Sequence, residues 1–302
     1  MSAHRCVAYG LRWASDIPLP DFRPDDAEAP ADVEVRLGEA PAHLDGAVDC
    51  GVLCSARPGE HLLDVPGVAR YWTQDGRRIT VQPAPGAADD AVSAVLSAVP
   101  IAALLHQRGA LVLHASAVEV DGGAVAIAGS SAVGKSALAA VLMRRDHKVI
   151  TDDLCVITFG PAGALVHPGP RVLHVWRDVC KHLSLPRAEM RPVRAALEKY
   201  ALELGECGID RALPLRAVYV IHTSKLEPWR IAAPEKLRVT EILSNQSVGL
   251  ESVRAMGGAA AHLMTAAQIA RRVPVRIVTR PAQGDSFQEA ADHLQKDWSA
   301  LS

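Results

Sequence analysis

Between residues 129 and 154 the chain reads GSSAVGKSALAAVLMRRDHKVITDDL. Gly129, Gly134, Lys135 and Ser136 complete the pattern G-x-x-x-x-G-K-[ST], with an apolar run before it and a helix-forming run after it. That order of strand, glycine-rich loop and helix is what a phosphate chain requires. The glycines let successive backbone N–H groups curl around the anion, and the helix N-terminus adds its partial positive charge. Gly129, Ser130, Ser131, Ala132, Val133, Gly134, Lys135, Ser136 and Ala137 are therefore expected to form the cradle. Lys135 is placed to reach the β- and γ-phosphates, and the Ser136 hydroxyl to face Mg²⁺. The unusual element is the pair Asp152–Asp153. It follows Lys135 by only 152 − 135 = 17 positions, room for one helix and one strand.

Two acids at the end of an apolar strand beside such a loop suit two tasks. One carboxylate can hold a divalent metal and the other can accept the proton of an attacking hydroxyl. Neighbouring residues of a strand point to opposite faces, so both reach the site only if the strand ends there. Asp152 is assigned to the proton and Asp153 to the metal, with the reverse order left open; the bland alternative is a solvated strand end. His114 lies on the apolar run ALVLHASAVEV, joined to the loop strand through Asp-Gly-Gly at 121–123. A loop at 121–122 sets residue 114 opposite 129, and one at 122–123 sets it opposite 131. Either register brings His114 to the mouth of the loop. Arg171 and Lys199 are candidate phosphate contacts among several basic residues, although an exposed cation is usually just a solvated one. His167, His174 and His182 show no metal constellation.

The 302 residues, 49% hydrophobic and 22% charged with formal net charge −2, give no basic footprint, so no nucleic-acid partner is expected. Residues 1–88 read as a smaller β-rich domain and 89–302 as the phosphate-loop domain. The uncharged run 91–107 carries Ser93, Ser97 and Pro100 and is short for a bilayer span, so a buried helix ending at Gly109 is expected, with no membrane. A single strand is expected over KVITDDLCVI, further strands over 171–176, 215–223 and VPVRIVT, and helices near 235–244, 251–271 and 286–300. Six cysteines show no zinc or secreted-framework spacing; Cys50 and Cys54 could face a metal from one helix but have no second ligand pair nearby, so the thiols are taken as reduced in a cytoplasmic protein.

The order His114, hairpin, G-x-x-x-x-G-K-S, short helix and Asp-Asp resembles the kinase domain of HPr kinase/phosphorylase, which shares its compact nucleotide site with phosphoenolpyruvate carboxykinases. The resemblance spans roughly residues 105–180. It implies an α/β P-loop kinase fold, ATP and Mg²⁺, one aspartate acting as base and acid, a second helping to bind metal, and His114 within the site. The phrases AYGLRWASDIPLPDF, HQRGALVLHASAV and HPGPRVLHVW resemble a narrower group, HPr-kinase-like proteins of peptide natural-product clusters, including lasso peptide kinases. The Pro-Gly-Arg-Asn stretch with which HPr kinase/phosphorylases capture their partner is not found here. The expected substrate is thus a serine hydroxyl of a ribosomally made precursor peptide, held by the N-terminal domain, and a homo-oligomer is admitted. A small-molecule or carboxykinase-like kinase and a non-catalytic nucleotide sensor stay open as alternatives.

Overall fold

A computed structural model describes residues 4–185, 190–193, 198–225, 228–282 and 287–299. It is mixed α/β and divides into two compact units, one of residues 1–112 with 247–266, the other of 113–246 with 267–302.

The first unit holds β1 (His4–Ala8), β2 (Leu11–Ser15), β3 (Arg23–Pro24), β4 (Val33–Leu37), β5 (Val48–Gly51), β6 (Cys54–Arg57), β7 (Glu60–Val65), β8 (Ala69–Gln74) and β9 (Arg78–Pro83). They form one sheet in the order β3-β1-β2-β4-β9-β8-β7-β6-β5. Alternation explains it: ARYWTQ and RITVQP bury every second residue, so one face is apolar. Trp13, Val33, Val35, Tyr71, Ile79 and Val81 are wholly buried. Against this sheet lie α1 (Asp89–Leu96) and α2 (Val99–Gln107), where one helix was expected. The break falls at Ser97–Ala98, just before Pro100, because the residue preceding a proline and the missing N–H both disfavour an unbroken helix. The Asp89–Gln107 stretch is apolar enough by length and composition to cross a membrane. Its burial has another cause: α2 buries Ile101, Leu104 and Leu105 within the unit, and Tyr71 donates its hydroxyl to the Val92 carbonyl at 2.9 Å. The expected boundary at 88 is corrected accordingly, since both helices belong to the first unit.

The second unit contains β10 (Leu111–Val120, from its third residue), β11 (Gly123–Gly129), α3 (Lys135–Met143), β12 (Val149–Thr151), β13 (Leu154–Gly160), β14 (Gly163–His167), β15 (Val172–Trp176), α4 (Arg177–His182), β16 (Met190–Pro192), β17 (Lys199–Glu203), β18 (Leu213–Ser224), β19 (Arg230–Ala232), α5 (Val239–Asn245), and, after α6 (Leu250–Ala255) and most of α7 (Ala259–Arg272), β20 (Val275–Pro281) and α8 (Phe287–Trp298). The pairings β10–β11, β11–β18, β18–β14, β14–β13 and β13–β10 close a ring, with β12 on β10 and β15-β17-β16 forming a separate small sheet. The strand β11 is buried at every position and runs parallel to β18. The expected helix over 251–271 is two, parted around Met256–Gly258, and the ends at 286 and 300 of the last expected helix lie outside the described residues.

The hairpin follows the 121–122 register. Val120 pairs with Gly123 and Ala115 with Ala128, while Asp121 and Gly122 both take positive φ, +47° and +76°. Such a two-residue turn matches the right-handed twist of its strands. Residue 114 thereby stands level with Gly129.

Candidate functional site

The glycine-bearing loop at 129–136 joins β11 to α3. Gly129 has φ +150°, Ala132 +63° and Gly134 +96°. A Cβ at Gly134 would fall 2.5 Å from Phe287 Cε1, and one at Gly129 would fall 2.8 Å from the Ile221 carbonyl oxygen, so both glycines are required by space as well as by conformation. Arg280 donates from Nη1 to the Val133 carbonyl at 3.1 Å and lies over the Phe287 ring, bracing the loop from β20 and α8. The Lys135 ammonium is buried and donates to the Gly129 and Ser130 carbonyls at 3.1 and 3.0 Å. Burial lowers its pKa, with Asp153 and Asp152 pulling the other way.

The expected continuous strand over 148–157 is broken at the two aspartates. Asp153 takes φ +62°, a left-handed conformation uncommon for a non-glycine residue, and Leu154 N–H donates to the Asp152 carbonyl at 2.8 Å. The kink explains how adjacent acids serve one site, because it cancels the alternation of a regular strand.

Their surroundings differ. Asp152 is buried; its Oδ1 accepts from Ser116 Oγ at 2.6 Å and from Ser136 Oγ at 3.0 Å, and its Oδ2 accepts from the His174 backbone N–H at 2.9 Å. Burial, followed by the neighbouring Asp153 charge, raises its pKa. Asp153 is half-buried and faces the cavity, with His174 Nδ1 at 3.0 Å and Lys199 Nζ at 3.4 Å from its Oδ2. Burial opposes its ionisation, but the His174 hydrogen bond and the Lys199 charge outweigh it and hold the carboxyl well below the usual range. The geometry thus couples Ser136 to Asp152 rather than to Asp153.

A cavity of 640 Å³ opens over the loop, lined by Ser131, Ala132, Gly134, Lys135, Ser136 and Ala137 on one side and by His114, Asp153, His174 and Lys199 on another. His114 is half-buried there, and burial with the Lys135 charge depresses its pKa. Trp176, 46% exposed, and the Arg177–Glu198 ion pair complete the wall. Arg171 is not among the lining residues: its guanidinium binds Asp210 at 2.6 Å and the Gly205 carbonyl. Two further arginines of this unit are also engaged in ion pairs, Arg216 with Asp121 and Arg211 with Glu119.

Sequence reading missed Ser116 and His174. Ser116 had a usable signal, since it lies two residues from His114 and therefore on the same face of β10. His174 had little. It sits on β15 of the small sheet, and only long-range packing brings it to the acids, correcting the expectation that it joins no constellation. Asp152, Asp153 and His174 offer ligand atoms within 4.8 Å of one another. Together with the Ser136 hydroxyl and the resting place of Lys135, this donor set is of the hard, oxygen-rich kind that suits Mg²⁺ and a phosphate chain.

Among solved structures, the HPr(Ser) kinase/phosphatase from Coxiella burnetii is similar with a TM-score of 0.34 and 13% identity, covering 63% of this chain and 90% of that chain. A likeness so distant defines neither fold nor activity. No protein-family model matches the chain, and no curated protein sequence matches it.

Proposed function

We propose that the protein is an ATP- and Mg²⁺-dependent phosphotransferase that phosphorylates a serine hydroxyl of a ribosomally made precursor peptide, of the lasso peptide kind. The observation that carries the phosphotransferase reading is the unequal pair of carboxylates at a complete phosphate-loop pattern: Asp152 bonded to Ser136, and Asp153 lining the cavity with His174 and Lys199 as its partners.

On this reading the aspartate roles are the reverse of the first expectation. Both Asp152 oxygens accept hydrogen bonds within a buried setting, which suits a positioned ligand partner of Ser136 and leaves it poorly placed to meet a substrate hydroxyl. A divalent cation held by Ser136 and Asp152 would offset negative charge on the β- and γ-phosphates. Lys135 exchanges the Gly129 and Ser130 carbonyls for phosphate oxygens when the nucleotide enters. Asp153 stays ionised through its His174 and Lys199 partners and accepts the hydroxyl proton as the oxygen–phosphorus bond forms and the bond to ADP breaks. A low carboxylate pKa is tolerable here, because a loose phosphoryl-transfer transition state asks little of the base beyond alignment. His114 supports Asp153 across the cavity, and Lys199 meets the transferred phosphate.

The peptide acceptor rests on the sequence resemblance and on the exposed Trp176 at the cavity wall, a surface suited to an extended segment. A small-molecule acceptor would call for a compact arginine-lined anion pocket, whereas Arg171 pairs with Asp210 and Arg216 with Asp121. Incubating the full chain with ATP, Mg²⁺ and a serine-bearing precursor peptide of the lasso class, followed by mass spectrometry, should show one added phosphate on serine. Lys135→Ala should abolish it. Nucleotide binding without turnover would support a sensor instead, and parental turnover in Lys135→Ala would remove this loop from catalysis.

A further inference from the structure

The first unit gathers a second cluster of ligating side chains. Cys50 and Cys54, expected on a helix, lie on the hairpin of β5 and β6, where Gly51 pairs with Cys54 and the two Sγ atoms are 3.4 Å apart. Gly51 makes room for this: a Cβ there would fall 2.9 Å from the Cys54 sulfur. The next strand, β7, brings in His61, which is wholly buried. Its Nε2 is 3.2 Å from Ser252 Oγ of α6, and that hydroxyl is 3.4 Å from the Cys50 sulfur. The other ring nitrogen, Nδ1, is buried with no hydrogen-bond partner among the described residues. One ligand atom from each of Cys50, Cys54 and His61 lies within 4.8 Å of the others.

Buried cysteine often acts as a small hydrophobe, and Cys50 does pack against Ala56, Ala103 and Met256. Packing alone explains neither two sulfurs turned towards each other nor a buried imidazole drawn to the same point. An unsatisfied buried ring nitrogen costs about 1–3 kcal/mol, a cost that apolar packing would not retain. Two thiolates and one imidazole are the donor set of a borderline-soft d¹⁰ cation.

We propose that Cys50, Cys54 and His61 bind one zinc-class divalent cation, with the Ser252 hydroxyl or a water in the fourth position. Two thiolates each about 2.3 Å from a tetrahedral zinc ion stand roughly 3.8 Å apart, so closure asks the sulfurs to part by only a few tenths of an ångström. Binding converts two thiols to thiolates and releases two protons to solvent, with no change of oxidation state. None of the four residues lines the phosphate-loop cavity. The role is structural: the ion fastens the β5–β6 hairpin to β7 and to α6, whose segment 247–266 returns to this unit from later in the chain.

The test uses the full chain, stripped with chelator under reducing conditions and titrated with Zn²⁺ and, separately, with Co²⁺. One equivalent of zinc should bind, and the cobalt form should show a thiolate-to-metal charge-transfer band. Zinc at a hundredfold excess over its dissociation constant should raise Tm by roughly 5 °C. Cys50→Ser and Cys54→Ser should each lose the band and the rise in Tm; His61→Gln should weaken binding, and the two serine variants decide the matter if it does not fold. A cobalt spectrum without thiolate character would assign the metal to Asp152, Asp153 and His174 and overturn the proposal. So would the absence of bound zinc, a band that survives both serine variants, or a Cys50–Cys54 disulfide in protein isolated without reductant.

Discussion

His174 touches both acids at once, giving its backbone N–H to Asp152 and its ring nitrogen to Asp153. One residue therefore sets the distance between the group that faces Ser136 and the group that faces the cavity. His114 contributes differently. It is half-buried in the cavity that Lys135 and Asp153 also line, and on the proposed reading it supports the base rather than binding the nucleotide. His114→Ala should slow single-turnover transfer on the order of a hundredfold, the usual reach of assisted proton transfer, while nucleotide affinity changes little. Equal single-turnover rates would make His114 a bystander. At this scale the loop and the acids were legible because their geometry is local: seventeen positions leave little freedom. Ser116 was readable from its place on the His114 face of β10 and was passed over, whereas His174 was not legible, since it reaches the acids from β15 by long-range packing of which one sequence carries no record.

The elements were legible where their period is strong and misread where a turn interrupts it. The β10–β11 hairpin was legible from Asp-Gly-Gly at 121–123, which left two registers and of which the structure takes the 121–122 one, whereas a continuous strand over 148–157 was expected because its apolar run conceals the kink at Asp153. The loop itself depends on a glycine that sequence reading assigned only a backbone role. Gly134→Ala would add a strained positive φ and force the Cβ against Phe287, so nucleotide affinity should fall at least tenfold and Tm with it. Isothermal titration with a nucleotide checks the first and thermal unfolding the second; unchanged values in both would mean α8 yields freely. In the first unit, α2 is tied to the chain at 248 through His106, whose Nε2 stands 2.8 Å from the Val248 carbonyl. Burial pushes this imidazole down to about 4. The unfolded chain, titrating near 6.5, takes up a proton first, so stability is full above pH 6.5 and is lost as pH falls towards 4. Replacing His106 by Gln should flatten that acid limb, which amounts to at most about 3 kcal/mol. Denaturant unfolding at pH 7 and pH 4.5 measures it, and an undiminished limb would assign the acid sensitivity to another group.

For the whole molecule, a β-rich start and a mixed α/β remainder were readable from pattern, but the placement of residues 89–112 and 247–266 was not. The Pro- and Gly-bearing stretch before residue 89 looks like a linker, yet the apolar face of α2 is covered by β7, β8 and β9, which precede it. A fragment of residues 89–302 should therefore fail to fold cooperatively. It uncovers Ile101, Leu104 and Leu105, each worth about 1.5–3 kcal/mol when buried, a sum comparable to the stability of a domain. A sigmoidal melt of that fragment with native-like circular dichroism would show that the later residues fold alone.

The division of labour between the two aspartates is the claim on which the phosphotransferase account turns. Single-turnover phosphate transfer from ATP, titrated with Mg²⁺ for Asp152→Asn and Asp153→Asn side by side, tests it directly. The expected result is that Asp152→Asn shifts the Mg²⁺ requirement upward, whereas Asp153→Asn leaves that requirement in place and lowers the saturated rate by about 10²–10⁴-fold. A metal shift in Asp153→Asn, with the saturated rate lost in Asp152→Asn, would contradict the account and restore the order first read from the sequence.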